Sequence, residues 1–291
     1  MINLEFIINT ISLGSLYALI SLGLVIVYGI LQLVNFAYGE LIMITGYVIF
    51  WLSTSTSLPI FVIIIFSVVA AALVSALTEI VAFRPVRNKS TVAIFTTSFA
   101  VSMLLQNMIL IVVSPRARAV PLPEIFNRSV EIFGVVTSMR NVLTIITTIV
   151  MLLALSLLMK KTMLGTALRA ATNNFTASRL MGVPANMIIS VAFLLSGMLA
   201  GTAALFWVGR SASVDPLTGA APLQIAFIAT VIGGMNSLVG AVVGGYVYGL
   251  LFNLLSVFLP PSVSNYRDAF MFFIVILFLL FRPEGIVRGS Y

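Results

Sequence analysis

Three groups of polar residues interrupt an otherwise apolar chain. The first is the hexapeptide Asn35-Phe36-Ala37-Tyr38-Gly39-Glu40. The second is the set of amides Gln106, Asn107 and Asn236. Amides and a lone acid at lipid depth are costly and normally face a protein interior or water. Their chemistry is hydrogen bonding and charge solvation of a passing polar solute, not bond making. The third group is Lys160 to Pro184, KKTMLGTALRAATNNFTASRLMGVP, with Lys160, Lys161, Arg169, Arg179 and no acid. It is longer than a connection between two helices requires, so it has room to fold and meet a partner. Each group also has a plainer reading. Glu40 sits in an interfacial turn, Gln106 and Asn107 bond neighbouring helices, and the basic stretch is a solvated loop.

Residues for catalysis are missing. The chain has no Cys and no His, which removes thiolate chemistry, the commonest metal ligand and the commonest general base. It has no G-x-x-x-x-G-K-[ST], no H-E-x-x-H and no paired carboxylates in its apolar runs. No catalytic residue, metal site or bound cofactor is therefore expected, and the chain reads as a non-enzyme without an ATPase site. The net charge of +7 is scattered between apolar runs. That argues against nucleic acid and suits loops facing an anionic lipid leaflet.

The elements that position these groups are membrane helices. The chain is 61% hydrophobic and 8% charged, against roughly 25% charge in soluble domains. Its apolar runs are continuous, which excludes the short alternating segments of a β-barrel. Long runs cover Phe6 to Leu31, Leu58 to Phe83, Thr91 to Val113, Asn141 to Met159, Ala185 to Val208, Leu238 to Leu259 and Ala269 to Phe281. Two short runs, Leu41 to Leu52 and Leu223 to Gly234, each adjoin polar breaks. The class expected is an all-α polytopic membrane protein with about nine (eight to nine) transmembrane helices, the short broken helices being crossing or re-entrant. The N-terminus MINLEF lacks a basic region, so no cleavable signal peptide is expected.

Arg84, Arg87 and Lys89 crowd one short loop, which with Lys160 to Pro184 is placed in the cytoplasm. The N-terminus then lies outside and the C-terminus inside. Residues 114–140 form an outer loop stiffened by Pro115, Pro121 and Pro123, with Phe126 to Val136 as a hairpin or an amphipathic segment. Glu79 is placed to pair with Arg84 and Arg87. Gly240, Gly244, Gly245 and Gly249 give small-residue spacing for close helix packing. Asn35, Gly39 and Gly46-Tyr47-Val48 loosely echo Asn236, Gly240 and Gly245-Tyr246-Val247, as paired broken helices of an inverted repeat would. In the basic stretch, Ala167 to Ala171 and Thr176 to Met181 read as short helices separated by Asn173 and Asn174, the second stopped by Gly182 and Pro184.

Four separated motifs carry a family resemblance. They are Asn35 to Glu40, Arg84-Pro85-Val86-Arg87, the segment Gly165 to Gly182 with its Ala-Leu-Arg-Ala and Arg-Leu-Met-Gly runs, and Arg282-Pro283-Glu284-Gly285. Together they resemble the permease subunits of branched-chain amino acid (high-affinity leucine/isoleucine/valine type) ABC importers. Two departures stand out: Tyr38 replaces a frequent His, and Thr176-Ala177-Ser178 replaces Glu-Ala-Ala.

The resemblance implies one transmembrane permease domain over residues 1–291, in a multi-pass protein of the bacterial inner membrane. It implies that residues 160–184 couple to an ATPase, through Gly165, Arg169, Ala177, Ser178, Arg179, Leu180 and Gly182. Partners implied are a second homologous permease, two ATP-binding subunits that use the ATP, and an external or periplasmic substrate-binding protein. The substrate implied is a branched-chain or other neutral amino acid. By position, Asn35, Glu40, Gln106, Asn107 and Asn236 are candidates for the translocation pathway. The alternatives are a urea or short-amide ABC importer permease, or an ATP-independent secondary transporter or channel.

Overall fold

The computed structural model describes residues 4–87, 89–121, 126, 128–132, 134–173 and 175–287. Asn88, Pro123, Glu124, Asn174 and the side chains at 132, 173, 175, 176 and 179 lie outside the described part. Eleven helices and four short strands follow in order among the described residues. Helix α1 is Leu4–Leu31, α2 Tyr38–Ser55, and α3 Ile60–Thr78, which continues as a π-helical turn over Glu79–Phe83. Helix α4 is Thr91–Val112. Strands β1 (Arg118–Ala119), β2 (Ser129–Ile132) and β3 (Val135–Ser138) precede α5, Met139–Lys161. Helices α6 (Met163–Asn173) and α7 (Phe175–Leu180) form the basic stretch. Helix α8 (Ala185–Ser211), strand β4 (Ser213–Val214), α9 (Ala220–Gly233), α10 (Leu238–Phe258) and α11 (Arg267–Phe281) complete the chain.

Seven helical segments are long and apolar enough to cross a membrane: α1, α3 with its π turn, α4, α5, α8, α10, and α11 with the turn before it. The chain is a multi-pass membrane protein. Helices α2 and α9 are the two short runs, and the 14 residues of α9 make it about 21 Å long. That is short of a hydrocarbon core of about 30 Å.

Helix α1 is the axis of the bundle. Every residue from Ser12 to Val27 is buried, so all its faces are covered, as a helix apolar all round requires. Small residues set the approach of its neighbours. A Cβ on Gly245 would lie 2.4 Å from the Ala18 nitrogen, and one on Gly249 would lie 2.6 Å from the Gly14 nitrogen. Helix α10 therefore rides directly on the α1 backbone. Buried hydroxyls lock other pairs. Ser196 Oγ donates to Gly23 O at 2.7 Å, joining α8 to α1, and Ser75 Oγ donates to Phe193 O at 2.6 Å, joining α3 to α8.

Side-chain caps fix where helices begin. Ser90 Oγ accepts from Ala93 N–H, Thr162 Oγ1 from Gly165 N–H and Ser237 Oγ from Gly240 N–H. Strands β2 and β3 pair antiparallel, Ser129 with Ser138 and Ile132 with Val135. A second pairing, Arg118 with Val214 and Ala119 with Ser213, ties the 114–140 connection to the turn after α8. The all-α reading thus gains four short strands, all between membrane helices.

Candidate translocation and docking sites

The first polar group builds the start of α2. Asn35 is buried, and its Oδ1 accepts the Ala37 N–H at 3.0 Å while its carbonyl accepts the Tyr38 N–H at 3.1 Å. This Asx turn reverses the chain inside the bundle. The Tyr38 ring lies fully buried against Gly23 of α1, and its hydroxyl has no hydrogen-bond partner among the described residues. Gly39 then meets Gly219 at the start of α9. A Cβ on Gly39 would lie 2.3 Å from Gly219 O, and one on Gly219 would lie 2.4 Å from Gly39 O. The N-termini of the two short helices therefore touch backbone to backbone, and neither carries a side-chain cap. The sequence echo matched Gly39 with Gly240. In the structure Gly39 packs against Gly219 and Gly240 against Gly233.

Glu40 is 1% exposed. Its Oε1 accepts from Ser102 Oγ at 2.9 Å and from Gln106 Nε2 at 2.7 Å, both on α4. Its Oε2 has no hydrogen-bond partner, and no cation pairs with Glu40, among the described residues. Gln106 thus belongs with Glu40. Asn107 does not: it lies on the exposed side of α4 and returns its amide N–H to Met103 O at 2.7 Å. Ser102 was missed by the sequence reading, because a serine in an apolar helix carries no signal of its own.

Asn236 is elsewhere. It lines a cavity of about 470 Å³ with Arg169, at the end of the bundle formed by the last turns of α1, α6, the α9–α10 break and Val287. The structure therefore brings one pathway candidate beside one coupling candidate. The C-terminal motif closes the same end. Ile286 N–H donates to Ile232 O at 2.9 Å and Val287 N–H to Gly233 O at 3.0 Å.

The basic stretch folds as two helices. Helix α6 turns its buried Gly165, Leu168 and Ala171 inward. A Cβ on Gly165 would lie 2.2 Å from Leu158 O, so α6 presses on the end of α5. In and after α7, Ala177 is exposed and Ser178 is buried, and their carbonyls accept from Met181 N–H and Val183 N–H. Gly182 ends the segment at φ +84°. Leu180 and Met181 are 84% and 85% exposed. The Arg179 side chain lies outside the described residues.

Glu79 anchors the far side of this segment. Its side chain is 0% exposed. It pairs with Arg84 at 2.8 Å and Arg87 at 3.5 Å and accepts from Ser190 Oγ at 2.7 Å. Arg87 also bonds Asn186. The expected Glu79–Arg84–Arg87 pairing is thus present, with Ser190 and Asn186 of α8 added. The charge-assisted hydrogen bonds that Arg84 donates to Glu79 raise the Arg84 pKa above its ordinary value.

Among the described residues no group of His, Cys, Asp or Glu could hold a metal ion.

Comparison with known proteins agrees in class. The family model described as "branched-chain amino acid transport system / permease component" matches residues 6–280. The high-affinity branched-chain amino acid transport system permease protein BraD of Pseudomonas aeruginosa is 32% identical over 98% of this chain and 95% of its own length. The corresponding permease protein LivH of Escherichia coli K12 is 31% identical over the same shares. A probable branched-chain amino acid transport permease protein LivH of Methanocaldococcus jannaschii is 28% identical over 94% of this chain and 89% of its own. No solved structure matches the chain significantly. With a family model spanning residues 6–280 and relatives matched along nearly the full length, the chain belongs to the family of permease components of branched-chain amino acid transport systems.

Proposed function

We propose that this chain is the translocating permease subunit of an ATP-driven importer of the ATP-binding-cassette type. It carries branched-chain or other neutral amino acids delivered by an external binding protein across the bacterial inner membrane. Residues 1–291 act as one permease domain, paired with a second homologous permease and two ATP-binding subunits. Nine crossings place the N-terminus outside and the C-terminus inside, counting α2 and α9 with the seven long segments.

One observation carries this reading beyond the family. Leu180 and Met181 stand almost fully exposed at the tip of a basic segment whose root, at Gly165, is pressed on α5. An apolar tip on a charged surface suits a partner's groove. On the permease side, α7 runs through Val183 and Pro184 into α8, which Ser190 and Asn186 bind to the Glu79 cluster. A push on α7 is thereby passed to α3 and α8 as a rigid-body tilt. The pathway is assigned to Glu40 and Gln106, with Asn35 shaping the turn beside them.

The test is uptake after Leu180→Asp and, separately, Arg179→Ala with Gly182→Val. Both proteins should insert and both should lose ATP-dependent uptake and co-purification of the ATP-binding subunit. Normal ATP-dependent uptake in both would remove the coupling role from this segment. Uptake of urea but not leucine would move the substrate to the short-amide class.

A further inference from the structure

The cavity at the end of α1 shares no lining residue with the Glu40–Gln106 pair or with α7. Its floor is apolar and buried: Val25, Ile26 and Leu168 are each below 5% exposed. Its rim is polar, formed by Arg169 and Asn236. Neither of these two side chains has a hydrogen bond or salt bridge among the described residues. The other polar side chains of the lining each already make one hydrogen bond. Thr172 Oγ1 donates to Arg169 O, Gln32 Nε2 to Gly29 O, and Ser237 Oγ accepts from Gly240 N–H. The rim also holds the first turn of the 21-residue helix α10, at Leu238 and Val239. That turn adds positive potential beside the Arg169 cation.

A volume of about 470 Å³ falls in the range of small-molecule sites. An apolar floor beneath one free cation and one free amide selects a compact amphiphile. Its body is branched and aliphatic, and its head is a carboxylate beside a hydrogen-bond donor. We propose that this cavity binds the transported branched-chain amino acid on the release side, and that occupancy holds α6 against α1 and the α9–α10 break. Arg169 and the α10 N-terminus take the carboxylate, the Asn236 carbonyl oxygen takes the ammonium, and the side chain fills the floor. This rests on the importer reading above, because it needs the cavity to face the compartment that receives the solute. The bound amino acid bridges the segment that must move to the break that must stay. Accumulated product therefore restrains further import.

The experiment uses the assembled transporter in proteoliposomes, with binding protein outside and ATP inside. Vesicles are preloaded with millimolar leucine, with leucinamide, which lacks the carboxylate, or with neither. Internal leucine should lower the initial uptake rate by at least about fivefold and leucinamide should not. Arg169→Gln and Val239→Trp, the second crowding the cavity without touching its charge, are each compared with their own unloaded rates. Each should bring the loaded-to-unloaded ratio close to one. Direct leucine binding to the complex without binding protein should weaken by about tenfold or more in Arg169→Gln. ATP-driven uptake that is equal in leucine-loaded and empty wild-type vesicles would overturn the site and leave the importer reading standing. Inhibition that persists unchanged in both variants would also overturn it. No ATP-driven uptake in empty vesicles would overturn both.

Discussion

Removing the Glu79 carboxylate tests the account of how helices α3 and α8 are held together. The carboxylate is fully buried, and it faces Arg84, Arg87 and the Ser190 hydroxyl. Glu79→Ala leaves the two guanidiniums around a void. Breaking a buried ion pair by deleting one partner costs about 3–5 kcal/mol. The Arg84 side chain is 35% exposed and the Arg87 side chain 12%, so water relieves part of the loss. The lower end, about 3 kcal/mol, is therefore expected. Glu79→Gln keeps the shape and one acceptor oxygen but turns an NH2 toward one of the donors. Hydrogen bonds to charged groups are worth about 1.5–3 kcal/mol each, and the retained oxygen places this variant near the bottom of that range. On the scale of soluble domains, 3 kcal/mol lowers Tm by about 6–12 °C, and the Gln variant should fall about half as far. The assay is thermal melting of the purified protein in detergent, with Ser190→Ala as a smaller loss. Variants melting within about 1 °C of the parent would refute the anchor. So would a Gln variant as stable as the parent, because the charge would then not matter.

Three further outcomes follow from the same geometry. Gly245→Leu should separate α10 from α1, since even a Cβ meets the Ala18 backbone at 2.4 Å; overpacking of this kind costs about 1–3 kcal/mol, read as lowered Tm, and an unchanged Tm would argue against the contact. Gly219→Ala should impair uptake more than stability, because it pushes apart the two helix starts at Gly39; the ratio of uptake to amount of folded protein in vesicles checks this. Gln106→Leu removes the 2.7 Å bond to Glu40 and leaves the acid with Ser102 alone, so uptake should fall while Asn107→Leu, on the exposed side of α4, should be close to neutral.

The sequence made the long helices legible because their apolar runs match what a bilayer requires. Boundaries moved by a few residues where caps or turns act. The run beginning at Leu41 starts at Tyr38 because the Asn35 side chain closes the turn before it. The five residues expected as helix from Ala167 became α6 from Met163, because Thr162 caps it and Gly165 lets it lie on α5. The Glu79 cluster was legible only in part: Arg84 and Arg87 are near in sequence, whereas Ser190 is over a hundred residues away. Two-residue strands such as β1 and β4 show no periodicity, so their pairing left no trace. The meeting of Gly39 with Gly219 was illegible for the same reason as the sharing of one cavity by Arg169 and Asn236. Each joins residues remote in the chain, and a lone glycine or asparagine names no partner. Asn107 looked like Gln106 by type and neighbour, but the helix turn of about 100° between them sends it to another face.

The central claim is that this permease works only as part of an ATP-driven assembly. The most direct test is gentle purification from native membranes, with mass spectrometry of the intact complex. The account predicts a second homologous permease and a pair of ATP-binding subunits in stoichiometric amounts. A lone chain that moves amino acids across liposomes without ATP would contradict it.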